Sequence, residues 1–154
     1  MLCMTVSVFC ERLYGKKSQE GTLRVMSFNI RLGVANDGDN RWDLRKDLVV
    51  KTIRDYNPDL LGLQEVFPMQ EEYLRENFPE YFYYGRSRLV DPKDGEACSI
   101  MFRKDRFDAI ERSTFWLSKT ENEPGSKSWD SSLPRIANIV RLQDKQVKGR
   151  ELDL

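Results

Sequence analysis

The chain has 154 residues, of which 40% are hydrophobic and 11% aromatic, so it is long and apolar enough for one folded domain. Its 25 basic residues balance its 25 acidic residues, so its net charge does not point to a nucleic acid or an anionic membrane. The chain contains no histidine, which excludes any mechanism in which this chain alone supplies an imidazole group.

The first 21 residues have the composition of a flexible leader. Met1–Cys10 is weakly apolar, carries no basic residue and ends in a poor cleavage site, which argues against a signal peptide. Ten residues are also too few to span a bilayer. The three cysteines have no metal-site spacing, which is typical of free thiols in a reducing compartment. We therefore expect an intracellular, cytoplasmic protein with a single domain over residues 22–154.

The next segments predict a strand, a loop and a helix. Leu23–Leu32 alternates between apolar and polar residues, as a strand does. The turn-forming residues of Val34–Arg41 predict a loop. A helix should begin near Trp42 and end before Pro58. Its predicted apolar stripe consists of Leu48, Val49, Thr52, Ile53 and Tyr56, with Trp42 and Leu44 at its beginning.

The apolar run from Asp59 to Val66 predicts a strand buried on both faces. Glu65 interrupts this run with a carboxylate, which has two interpretations: a frayed strand end that reaches water, or a metal ligand. A strand–helix–strand unit usually has parallel strands, which would bring Asn29 and Glu65 to the same edge of the sheet. This expected proximity favours the metal-ligand interpretation.

The second half of the chain predicts one more helix and several short strands. Pro68–Asn77 should be a helix with Met69, Tyr73 and Leu74 as its apolar contacts. Glu96 and Arg135 each stand directly before a predicted strand, where a charged side chain can face a site or simply the solvent. The predicted strands are Phe78–Tyr84 and, in an antiparallel meander after the loop Arg86–Gly95, Ala97–Arg103, Phe107–Ser113, Thr114–Ser118 and Ile136–Gln143. Another strand should begin at Glu151.

Several of these segments together resemble a known family. They are Arg24–Arg31, Pro58–Val66, Gly95–Ile100, Phe115–Ser118, Gly125–Asp130 and Leu133–Arg135, with the run Asn40–Arg45 between the first two. In this order they resemble the first half of the endonuclease/exonuclease/phosphatase superfamily, whose fold is that of deoxyribonuclease I. The resemblance implies an α+β fold, namely the first half of a four-layer α/β/β/α sandwich.

The resemblance also implies a chemistry and a set of roles. It implies Mg²⁺-dependent hydrolysis of a phosphodiester or phosphomonoester, with Mn²⁺ as the alternative ion. Glu65 matches the metal-binding glutamate of the family, and Asn29 matches the catalytic asparagine beside the metal and the phosphate. Glu96 matches a glutamate that supports a catalytic histidine in some members, and Arg135 resembles a phosphate-contacting arginine.

The chain departs from the family pattern because the later histidine and aspartate motifs are absent. We therefore expect an incomplete domain with little activity of its own. Two alternatives stay open: a fragment of a nuclease or deadenylase of the nocturnin type, and a non-catalytic interaction module. In an interaction module, an open sheet edge would pair with a partner or with a second copy of the chain.

Overall fold

A computed structural model describes residues 22–154, so the predicted leader over residues 1–21 lies outside the described residues. Within these residues, two α-helices alternate with the first strands, a short 3-10 helix spans Gly38–Asn40 in the predicted loop, and strands alone make up the second half. None of the described helices is long and apolar enough to cross a membrane. The elements are β1 (Val25–Asn29), α1 (Trp42–Tyr56), β2 (Leu60–Val66), α2 (Pro68–Asn77), β3 (Tyr81–Ser87), β4 (Ala97–Arg103), β5 (Phe107–Trp116), β6 (Ile136–Asp144) and β7 (Glu151–Asp153).

The first sheet has the strand order β1-β2-β4-β3. Strands β1 and β2 are parallel, with Asn29 opposite Gln64, and α1 connects them, which confirms the predicted strand–helix–strand unit. The prediction for β4 was wrong, because this strand lies between β2 and β3 and not in the meander. The four consecutive residues 99–102 are all buried, so β4 is covered on both faces. A continuous apolar run in the sequence indicates such burial but does not identify the neighbouring strand, which is why the prediction failed.

The second sheet is antiparallel, with the order β5-β6-β7, and its last strand begins at Glu151 as predicted. The predicted division near Ser113 was wrong, because β5 continues through it and pairs Ser113 with Ile139. The irregularity in this ladder lies between Ala109 and Glu111 instead. Exposed strand faces tolerate serine and threonine, so these residues did not mark a strand end here.

Three of the predicted apolar contacts in the helices were wrong. In α1 the side chains of Trp42, Val49, Val50 and Ile53 are buried, whereas Leu44 is 56% exposed and Leu48 64% exposed. The buried stripe is thus rotated from the predicted one, because Trp42 packs edge-on against Tyr73 of α2 and fixes the orientation of α1. In α2 Met69 is 42% exposed, and the neighbouring Gln70 is buried in its place.

The remaining difference concerns β3. This strand begins at Tyr81 and ends at Ser87, which is three residues later at both ends than predicted. Phe78 instead ends α2, since its N–H donates to the carbonyl of Leu74, and its ring is buried.

Two apolar clusters hold these layers together. One lies between the helices and the first sheet and includes Ile53, Leu61 and Leu74. The other joins the two sheets and includes Leu60 and Phe102 from the first sheet and Val140 from the second. The described residues therefore form three layers, with helices on one sheet and the second sheet on its other face. This α+β arrangement confirms the predicted fold class.

Candidate active site at the carboxyl end of β1 and β2

Glu65 lies near the end of β2, and both of its carboxylate oxygens accept hydrogen bonds, one from the last residue of β1 and one from the turn that follows it. The Asn29 side-chain Nδ2 donates to Oε1 at 2.9 Å, and the backbone N–H of Leu32 donates to Oε2 at 3.0 Å. The N–H of Arg31 donates in turn to Oδ1 of Asn29 at 2.8 Å, which fixes the orientation of the amide group. The structure therefore brings Asn29 and Glu65 into direct contact, as the parallel strand order predicts.

These contacts keep the Glu65 carboxyl group ionised. The hydrogen bond from Asn29 is the largest influence and lowers the pKa of Glu65 below its ordinary value. Burial acts in the opposite direction, but the N–H of Leu32 and the positive charges of Arg31 and Arg88 add to the lowering. Glu65 is therefore a carboxylate at neutral pH, which is the form that binds a cation.

The backbone is strained at Glu65 and at Arg31. Their φ angles are +60° and +59°, in the left-handed region that non-glycine residues rarely adopt. At Glu65 the strain coincides with an irregularity in the β2–β4 ladder between Leu63 and Val66. Bulges of this kind redirect a side chain, and such strain concentrates at functional sites.

Gln70 of α2 holds the turn after β1 in place. Its side chain is fully buried, and Oε1 accepts the N–H groups of Gly33 and Phe67, both at 2.9 Å. Its Nε2 donates to the carbonyl of Arg31 at 2.9 Å. One buried amide therefore satisfies three backbone groups, two in the turn after β1 and one at Phe67, which precedes α2.

Arg45 of α1 holds the same turn from the other side. Its guanidinium donates to the carbonyls of Ile30 at 2.5 Å, Arg31 at 2.7 Å and Asn40 at 2.9 Å. It also lies 5.2 Å from the centre of the Trp42 ring, as in a cation–π contact. The run Asn40–Arg45 thus supports the turn that provides the Leu32 N–H to Glu65.

All four site residues predicted from the sequence line one cleft of about 230 Å³. Asn29 and Glu65 come from the ends of β1 and β2, Glu96 precedes β4, and Arg135 precedes β6. The carbonyl of Arg135 accepts the N–H of Leu117 at 2.7 Å, which ties this end of the cleft to the second sheet. The cleft thus combines carboxylates, an amide and a guanidinium, the groups that bind a metal and a phosphate.

Arg88 and Cys98 also line the cleft, and the sequence analysis did not identify them as site residues. Arg88 Nη1 lies 2.7 Å from Oε2 of Glu96 in an ion pair. The position of Arg88 follows from the pairing of β3 with β4. Ser87 is opposite Ala97 at the end of this ladder, so Arg88, directly after β3, is a neighbour of Glu96, directly before β4. Burial and the charge of Glu96 raise the pKa of the Cys98 thiol, which keeps it protonated and unreactive.

The chemistry of the cleft fits a hard cation held through few protein ligands. Among the described residues there is no group of three or more histidine, cysteine, aspartate or glutamate side chains able to hold a metal. Glu65 nevertheless keeps lone pairs on both oxygens beyond the two hydrogen bonds that they accept. Mg²⁺ uses oxygen ligands and retains several waters, so a single carboxylate with an adjacent amide suits it.

Comparison with known proteins identifies relatives of this chain. The family model described as Endonuclease/Exonuclease/phosphatase family matches residues 26–129. A curated relative is the CCR4-Not complex 3'-5'-exoribonuclease subunit Ccr4 of Neosartorya fischeri. It is 25% identical over 126 residues, which cover 71% of this chain and 17% of that protein.

Two solved structures are similar to this chain over most of its length. An endonuclease/exonuclease/phosphatase from Bacteroides vulgatus is 34% identical with a TM-score of 0.81, covering 85% of this chain and 50% of its own. A mannosyl-6-phosphatase from Bacteroides thetaiotaomicron is 34% identical with a TM-score of 0.79, covering 86% of this chain and 49% of its own. The chain therefore spans about half the length of these solved structures.

Proposed function

We propose that the chain, which belongs to the endonuclease/exonuclease/phosphatase family, supplies part of the active site of a divalent-metal-dependent phosphoesterase. The observation that carries this proposal is the contact between Asn29 and the ionised Glu65, 2.9 Å apart in a cleft that also contains Arg135. The strained backbone at Glu65 supports a functional reason for this carboxylate.

Each side chain has a distinct part in this proposal. Glu65 binds the metal, which is Mg²⁺ or Mn²⁺ and which polarises a phosphoryl oxygen when bound. The amide of Asn29 orients the carboxylate and lies beside the position of the phosphate. The guanidinium of Arg135 neutralises part of the negative charge on the phosphate. Glu96 lines the same cleft and acts through its neighbours rather than as a second metal ligand.

The substrate in this proposal is a phosphate ester. The relationship to a mannosyl-6-phosphatase at 34% identity supports a small phosphomonoester. The relationship to the Ccr4 exoribonuclease at 25% identity supports the nuclease alternative. The chain has no histidine, so we propose that it hydrolyses neither class of ester efficiently by itself. The intracellular location inferred from the free thiols is part of the same proposal.

Metal binding to the full chain tests the role of Glu65. Isothermal titration with Mn²⁺ and with Mg²⁺ should detect binding, and Glu65→Gln should abolish it because the amide carries no charge. Glu76→Gln is the matched control, since Glu76 is an exposed residue of α2 outside the cleft. Equal binding by the wild type and the Glu65 variant would refute the assignment.

Hydrolysis of bis-p-nitrophenyl phosphate and of p-nitrophenyl phosphate tests the expected low activity. We expect rates close to the buffer background with either metal. Metal-dependent hydrolysis that disappears in the Glu65 variant would overturn the expected low activity and would support the phosphoesterase assignment.

An interaction module remains the second candidate function. Among the described strands, β1 pairs only with β2 in the first sheet, so its other edge carries no strand. Such an edge can pair with a second copy of the chain. A dimer that persists without metal and retains its stability in the Glu65 variant would favour this function over the catalytic one.

A further inference from the structure

Arg88 is held against Glu96 where β3 and β4 meet the cleft. The backbone N–H of Arg88 donates to the carbonyl of Glu96 at 3.1 Å, and their side chains form the ion pair at 2.7 Å. The Arg88 side chain is 16% exposed and that of Glu96 23% exposed. Because water is largely excluded from this pair, it holds the guanidinium more firmly than a surface ion pair would.

A buried tryptophan fixes the backbone at the same point. The indole Nε1 of Trp116 donates to the carbonyl of Arg88 at 2.7 Å, and Trp116 is only 3% exposed. Arg88 is therefore attached at its N–H, its carbonyl and its guanidinium. With its backbone held at two points and its guanidinium at one, Arg88 loses little further entropy on binding a ligand.

The guanidinium retains unused hydrogen-bonding capacity. Its Nε is buried and has no hydrogen-bond partner among the described residues. An arginine guanidinium offers five N–H donors in a forked arrangement. The ion pair with Glu96 involves the Nη1 side of this fork. The Nε is enclosed by protein, so an oxyanion in the cleft would bind the Nη donors that the ion pair with Glu96 leaves free.

The charges of the cleft are arranged for such an anion. Arg88 and Arg135 both line the cleft that contains Asn29 and Glu65. Arg88 is also near enough to lower the pKa of Glu65 by its charge. Guanidinium groups recognise phosphate through two parallel hydrogen bonds, which a single ammonium group cannot reproduce.

We propose that Arg88 is a second phosphate-binding side chain of this cleft and that Glu96 is the residue that positions it. This inference rests on the proposed function, since it places the phosphate of the ester substrate between Arg88 and Arg135. It also gives Glu96 a partner within this chain, which has no histidine for Glu96 to support.

The test is titration of the full chain with inorganic phosphate, followed by calorimetry or ³¹P NMR, with and without Mg²⁺. The wild type should bind phosphate, and Arg88→Met should bind it about tenfold to hundredfold more weakly, as expected when charged hydrogen bonds are lost. Arg88→Lys should give an intermediate affinity, because it keeps the charge but loses the fork. Near-ultraviolet circular dichroism of each variant checks that it is folded.

Arg86→Met is the matched control. Arg86 lies two residues away in β3 and stacks over Trp116 at 5.1 Å, but it does not line the cleft. This variant should bind phosphate as the wild type does. Equal loss in the Arg86 and Arg88 variants would overturn the proposal, as would a wild type that does not bind phosphate.

The positioning role of Glu96 needs a double-mutant cycle. Glu96→Gln should weaken phosphate binding severalfold in the wild type and have no effect in the Arg88→Met background. Equal weakening in both backgrounds would overturn the positioning role. Mn²⁺ titration of the same samples reports on Glu65 separately, so failure of the metal proposal is distinguishable from failure of the Arg88 proposal.

Discussion

Replacement of Arg106 by methionine should destabilise the junction between the two sheets more than replacement of any surface arginine. Arg106 precedes β5 and is 2% exposed. Its Nη1 lies 3.0 Å from Oδ2 of Asp59, which precedes β2, and its Nη2 lies 3.2 Å from Oδ2 of Asp144, at the end of β6. Methionine fills a similar volume but leaves two carboxylates without the cation between them.

The size of the effect follows from the burial of these groups. Breaking a buried ion pair by removal of one partner typically costs about 3–5 kcal/mol, because the remaining charge is uncompensated. Arg150 still lies 3.5 Å from Asp144, and the N–H of Gln146 still donates to that carboxylate at 2.9 Å. We therefore expect a loss of about 3–4 kcal/mol, which is a large part of the total stability of an ordinary domain.

The loss should also depend on pH. Burial acts to raise the pKa of Asp144, but the hydrogen bonds from Arg106 and Gln146 and the charges of Arg106 and Arg150 outweigh it and lower the pKa below its ordinary value. A lowered pKa contributes stability above the unfolded-state pKa, and that contribution is lost as the pH falls through the folded-state pKa. Without Arg106 the main opposition to burial is lost, so the pKa of Asp144 should rise relative to that in the wild type, and protonation of this carboxylate as the pH falls should relieve the variant.

Urea unfolding followed by tryptophan fluorescence measures both effects. The difference in unfolding free energy between the wild type and Arg106→Met should be about 3–4 kcal/mol at pH 7 and should narrow towards pH 4. Addition of Asp144→Asn to the variant should recover part of the loss. The control is Arg141→Met, since Arg141 is 46% exposed and its pair with Asp153 should contribute less than about 1 kcal/mol. A loss below 1 kcal/mol at pH 7, or one independent of pH, would refute this reasoning.

Two glycine substitutions test the close contacts of the first sheet and its turn. A Cβ atom at Gly33 would lie 2.7 Å from Cδ of Gln70. Gly33→Ala should therefore displace this buried amide and lower the unfolding free energy measured in urea by about 2–3 kcal/mol. A loss below about 0.5 kcal/mol would be inconsistent with a rigid Gln70. A Cβ atom at Gly85 would overlap Oγ of Ser99 and lie 2.9 Å from its Cβ, so Gly85→Ala should cost about 1–3 kcal/mol. Gly62→Ala is the control for both, since the atom nearest to a Cβ at Gly62 would be Nε2 of Gln64, 3.9 Å away. An equal loss of unfolding free energy in this control would show that close packing is not the cause.

Element boundaries were predicted best where proline or a change of composition marks them. The helix at Pro68–Asn77 and the strand at Ala97–Arg103 have the predicted bounds. The strand order was not predictable from the pattern of β4, because the identity of the neighbour of a fully buried strand depends on tertiary packing. The rotation of α1 depended on the contact of Trp42 with a residue more than 30 positions away.

The candidate site likewise has one part that was predictable from the sequence and one that was not. The proximity of Asn29 and Glu65 was predictable, since it follows from a parallel crossover and two polar residues at strand ends. Gln70 was not, because a glutamine next to an apolar methionine normally faces the solvent. Its burial becomes favourable only in combination with the three backbone groups that it satisfies, two in the turn after β1 and one at Phe67 before α2.

The cleft consists of two parts that depend on different regions of the chain. The contacts that orient Glu65 come from Asn29 and Leu32, and Arg45 and Gln70 hold that turn. These contacts all lie within residues 29–70, so this part of the cleft forms within the β1–α1–β2–α2 unit.

The phosphate-binding part proposed above depends on both sheets. Arg88 is anchored to Trp116 of β5, and Arg135 is anchored through the N–H of Leu117. A change in the packing of Trp116 or Leu117 should therefore displace the two arginines. Glu65 is oriented by β1, α1 and α2, so this proposed metal ligand should keep its geometry when the proposed phosphate-binding side chains lose theirs.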